Sequence, residues 1–96
     1  MIPGTVSKLS RSAVTAAATI GPVNSDLVYV TGSTTIATIK PPNNGGFSGL
    51  LFVVADEAVA TTTSGNIAAA VTLGAALVTV FVYDNVTDTW HPGAIS

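Results

Sequence analysis

The sequence predicts an all-β fold, a small jelly-roll-like β-sandwich or barrel with an extended N-terminal arm, on three observations. Threonine occurs 14 times and valine 13 times, and these β-branched residues suit a pleated surface better than a helix. Short apolar or β-branched runs recur at a spacing of about 8–12 residues between turn signals, the rhythm of sandwiches and barrels. A length of 96 residues without cysteine implies one domain and one thin core, with no disulfide or thiolate site to staple it.

The elements follow in order. Residues 1–12 are read as extended, because Pro3 and Gly4 break any helix. Residues 12–20 carry alanine, but Thr15, Thr19 and the closing Gly21-Pro22 favour irregular chain or a short strand. The arm is therefore expected over residues 1–26 and the β-domain over residues 27–96. Leu27–Thr31 is β-branched and aromatic between Asn24-Ser25-Asp26 and Gly32-Ser33, a strand signature. Residues 34–40 form the next expected strand, stopped by Pro41-Pro42 and a loop at Asn43-Asn44-Gly45-Gly46. Residues 47–55 barely alternate and read as a central strand buried on both faces. Asp56-Glu57 marks a turn, and residues 59–63 and 67–72 are expected as short strands around Ser64-Gly65-Asn66. Residues 73–76 form a turn or bulge, residues 77–83 the strongest strand, residues 85–88 a tight turn and residues 89–91 a last short strand.

Charge sets the functional limits. Only Lys8, Arg11, Lys40, Asp26, Asp56, Glu57, Asp84 and Asp88 are ionised, 8% of the chain, against about 25% in ordinary soluble domains. A monomer of this mass exposes roughly 5,000 Å², or about one charge per 600 Å². With 48% hydrophobic residues and a mean hydropathy of +0.61, such a chain is expected to associate. A membrane span is not expected. The most apolar stretch, residues 67–83, is shorter than the roughly 20 residues a bilayer crossing needs, and no Lys or Arg follows Lys40 to anchor it. The first residues lack a secretory apolar core. A net charge of −2 without a basic cluster gives no footprint for nucleic acid.

Residues able to do chemistry are few. His91 is the single histidine and lacks the partners a general base or metal ligand needs, so it reads as a strand-edge side chain. Asp84 and Asp88 bracket a turn and could offer oxygen ligands to a hard cation, but their spacing is that of a hairpin and not of a calcium loop. Asp56 and Glu57 are adjacent, so on a strand they would point to opposite faces. Asn85-Val86-Thr87 is formally a glycosylation acceptor, relevant only in a secreted eukaryotic protein. The Gly45-Gly46 pair lacks the Lys-Ser/Thr of a phosphate loop, and no G-x-S-x-G elbow is present. Neither an enzyme, a cofactor nor a metal is expected.

One resemblance spans residues 32–92. Gly32-Ser33-Thr34-Thr35-Ile36 leads to Ile39, a Pro/Asn/Gly loop and Gly49-Leu50. Gly65-Asn66-Ile67-Ala68 follows, then a Val/Leu strand ending Val82-Tyr83-Asp84, then Thr89-Trp90. This order resembles a small β-module of bacteriophage virion proteins, found in capsid decoration (cement) proteins and in the trimeric tips of tail fibres and spikes. The resemblance implies a homotrimer that binds without catalysis, with Ile67 and Trp90 as core anchors and Gly65-Asn66 as the turn before Ile67. A chain running from Met1 to just past Trp90 is expected to suit a cement protein better than a fibre tip, which follows a long shaft. The expected function is thus capsid decoration: a homotrimer on the outer surface of the virion, bridging neighbouring major capsid proteins. Ile2, Lys8 and Arg11 are the expected shell contacts, because two of the three cations lie there. The alternatives are a receptor-binding or capping tip of a tail fibre or spike and, outside virions, a bacterial surface adhesin module.

Overall fold

The computed structural model describes residues 10–42 and 48–93. Within them the regular structure is all strand, with no helix. Three long strands are each followed by a short one: β1 (Arg11–Thr15) by β2 (Thr19–Ile20), β3 (Leu27–Thr31) by β4 (Thr38–Ile39), and β5 (Gly49–Ala55) by β6 (Val59–Ala60). The chain then runs through β7 (Thr72–Leu73), β8 (Val78–Asp84) and β9 (Thr89–Pro92).

The long strands and β8–β9 make one mixed sheet in the order β1-β3-β5-β8-β9. β3 pairs parallel with β1 and with β5, whereas β5–β8 and β8–β9 are antiparallel. Parallel neighbours need a crossover, usually a helix. Here the described crossover residues 16–26 and 32–42 carry β2 and β4, which pair parallel with each other. β6 and β7 form an antiparallel pair, and a parallel bridge from Ile36 to Thr61 links the two short layers.

Side chains alternate across a strand, so the main sheet has two faces. One carries Val28, Val30, Leu51, Val53, Ala55, Phe81, Tyr83 and Trp90, all buried. These join Ile20, Ile36, Ile39, Val59, Ile67 and Leu73 from the short strands and bridges in a single core. The short strands thus cover one side of the main sheet.

Several expectations change. From Ser10 onward the arm expected over residues 1–26 belongs to the fold: β1 is an edge strand of the main sheet, and Ala16, Ile20 and Val23 are core residues. Ser10 is tied to Asp26, whose N–H donates 3.0 Å to the Ser10 hydroxyl. Jelly rolls pair antiparallel, and the parallel ladders β1–β3 and β3–β5 depart from that pattern. The strand expected over residues 34–40 shrinks to β4 and the Ile36 bridge, because Ile36 and Ile39 are three apart and both buried, a spacing that breaks strand alternation. Likewise residues 68–70 are exposed alanines outside any strand, leaving the Ile67 bridge and β7 where one strand was expected. β5 is central as expected, but it is buried on one face only, with burial alternating along Leu51–Ala55. The loop expected at residues 43–46, the strand start at Phe47, and Ile2 and Lys8 lie outside the described residues.

Candidate interaction surface

Trp90 and Ile67 meet inside the core. Trp90 is fully buried, and its indole N–H donates 2.8 Å to the Ile39 carbonyl. Its backbone N–H donates to the Asn66 carbonyl and its carbonyl accepts from Ala68, both at 2.8 Å. Those two bonds clasp buried Ile67 in an isolated bridge. Asn66 then acts as a one-residue strand beside Ile39: its Oδ1 accepts the Ile39 N–H at 2.8 Å and its Nδ2 donates to the Ile39 carbonyl at 2.7 Å. The approach is close enough to demand glycine at position 65, where a Cβ would stand 2.2 Å from the Ala37 carbonyl oxygen. Thr61 does the same for Val71, accepting its N–H at 2.8 Å and donating to its carbonyl at 2.9 Å. The Trp90 bond ties the main sheet to β4, the Asn66 and Thr61 bonds tie the covering segments to one another, and groups paired in this way can be buried without penalty.

The titratable side chains serve turns. Asp84 Oδ1 accepts the Val86 N–H at 2.8 Å, an Asx turn. Asp88 closes the same hairpin at φ 55° and accepts from the Tyr83 hydroxyl at 3.4 Å. Burial, with the Asp88 charge and this hydrogen bond adding to it, pushes the Tyr83 phenol above its ordinary value. Asp56 Oδ1 accepts the Gly32 N–H at 3.1 Å, pinning the end of β3, while Glu57 is exposed. His91 is exposed, with Nε2 3.3 Å from the Thr89 hydroxyl, itself 2.7 Å from that of Thr87. Among the described residues, no three His, Cys, Asp or Glu side chains gather as metal ligands. Arg11, the expected shell contact that is described, is exposed at the β1 edge with its guanidinium carbon 5.0 Å from the Tyr29 ring centre.

The second face of the main sheet carries Leu50, Val78 and Val82, three of the exposed large apolar side chains. Strand register lays Leu27, Phe52 and Val80 in one row and Tyr29, Val54 and Val78 in the next. A further row runs from Leu50 through Val82 to His91. Leu50 is 55%, Val78 56% and Val82 42% exposed and His91 is exposed too, while Leu27, Tyr29, Phe52, Val54 and Val80 are half-buried. Among the described residues, Arg11 at the β1 edge and Asp84 and His91 at the β8–β9 corner are the acidic and basic groups that alternation places on this side. Contiguous apolar patches are uncommon on the surface of monomeric proteins. The sequence held the signal in the runs LVYVT and GLLFVVA, whose failure to alternate reads as burial on both faces. Both faces are indeed apolar, but this chain's short strands cover only one.

No protein-family model, curated protein or solved structure matches the chain.

Proposed function

We propose that this chain is a bacteriophage capsid decoration (cement) protein, an all-β homotrimer that binds the outer shell, bridges neighbouring major capsid proteins and stabilises the assembled capsid. The observation that carries this reading is the apolar outer face of the main sheet, charged only at its margins, in a chain with eight ionised side chains. Such a surface favours protein partners over nucleic acid or acidic substrates. The resemblance of residues 32–92 to the virion β-module supplies the setting.

The mechanism is linkage. A protein that binds the closed shell and not its separated subunits stabilises the shell by RT ln(1 + [L]/Kd). A trimer that grips several shell subunits at once adds avidity without any strong single contact. Arg11, exposed at the sheet edge, remains a proposed contact together with Ile2 and Lys8. The arm is best tested by removing residues 1–9, since a cut at residue 12 would take part of β1 with it.

The experiment is add-back. Purified protein is mixed with capsids assembled without it, and the shells are sedimented and then heated. Co-sedimentation with a raised disruption temperature is expected. Protein left in the supernatant, with shells no more heat-resistant than before, overturns the reading, and binding to host cells instead would favour a tail tip.

A further inference from the structure

We propose that the outer face of the β1-β3-β5-β8-β9 sheet is covered by a second copy of this chain, so that the sheets of neighbouring copies pack face to face. This goes beyond the homotrimer in the reading above: the same face on two copies pairs two-fold, so the contact joins copies in pairs and does not itself close a three-fold ring.

The first support is the pattern of the strands. A sheet with parallel neighbours is ordinarily covered on both sides, and its strands read as continuous apolar runs. β3 and β5 are such runs and sit in parallel ladders, yet the short strands of the same chain cover one side alone. The second support is size. Five strands about 4.8 Å apart, with up to seven residues rising about 3.3 Å each, span roughly 500 Å². Two such faces bury about 1,000 Å² together, the lower bound for a specific interface.

The third support is chemical. The facing surface must be broad, nearly flat and free of charge, since a desolvated unpaired charge opposite Phe52 or Val80 would be strongly unfavourable. The same face on another copy meets that demand, because its acidic and basic groups among the described residues, Arg11, Asp84 and His91, stand at its margins. Sheets packed this way lie about 10 Å apart with side chains interdigitating, and alternating large and small residues such as Phe52 beside Val80 provide the relief for it.

Sedimentation equilibrium on the purified protein, with no capsid present, tests the contact. The wild type is expected at a multiple of 9.6 kDa. Phe52→Asp and Val82→Lys are expected to weaken association roughly a hundredfold and to sediment as monomers. Ala69→Lys, on an exposed residue away from the face, is expected to leave the assembled mass unchanged. Because Val82 is already 42% exposed, Val82→Lys keeps the test valid even if Phe52→Asp fails to fold. A monomeric wild type, a Val82→Lys protein that stays assembled, or equal disruption by Ala69→Lys overturns the inference. Assembly through this face without shell binding would leave the inference standing and overturn capsid decoration.

Discussion

Position 65 shows how tightly single residues set this fold. A Cβ there would collide with the Ala37 carbonyl and the Thr38 hydroxyl, so Gly65→Ala must push β4 away from Asn66. A loss of about 3 kcal/mol or more in unfolding free energy is expected from denaturant titration. Asn66→Ala removes both hydrogen bonds to Ile39, leaving a donor and a weakened acceptor beside buried Trp90. It is expected to lower stability by about 1–3 kcal/mol; a neutral Asn66→Ala would show that Asn66 does not hold the layers. Tyr83 adds a pH dependence. Its folded value is raised above the ordinary one of about 10, so the fold favours the neutral phenol. That contribution is complete below the unfolded value and is lost as pH rises through the raised folded value. Unfolding free energy is therefore expected to fall on the alkaline side of about pH 10, and Tyr83→Phe to remove that part of the slope. An unchanged alkaline slope in Tyr83→Phe would contradict the assignment. Trp90 as a large apolar payload was legible from its residue type alone. The Asn66–Ile39 pairing was not, since a side chain standing in for a strand leaves no periodic trace in sequence.

At the scale of elements, legibility followed local pattern. Leu27–Thr31 was readable to the residue because turn residues bound a β-branched run on both sides, and the strand before the hairpin at residues 85–88 was placed to within one residue. β1 and β2 were hidden because their pairing is parallel, and partners that lie beyond a crossover give no hairpin signal. The two phenylalanines of the central strand pair separate the sheet's faces by experiment. Phe81 is fully buried in the core, so Phe81→Ala is expected to lower monomer stability by about 3–5 kcal/mol. Phe52 lies on the outer face opposite Val80, so Phe52→Ala is expected to change monomer stability much less. Equal losses in the two variants, measured by denaturant titration under monomeric conditions, would contradict the one-sided core.

At the scale of the whole molecule, low charge and apolar strands point the same way. The chain exposes 5472 Å², close to the roughly 5,000 Å² expected for its mass, so its eight charges are as thinly spread as the sequence implies. Composition raises the expectation of association without a place for it; the register supplies the proposed place by gathering Leu27, Phe52 and Val80 into one row. For function the sequence offers a scarcity of reactive residues and a resemblance in residue order, and the proposal rests on those. Of the proposed shell contacts Ile2, Lys8 and Arg11, Arg11 falls among the described residues, exposed at the sheet edge.

Counting copies in the virion tests the central claim most directly. Quantitative mass spectrometry of purified particles, calibrated on the major capsid protein, gives the number of chains per virion. A decoration protein is expected in hundreds of copies, in fixed ratio to the shell subunit. A handful of copies, or none, would contradict it.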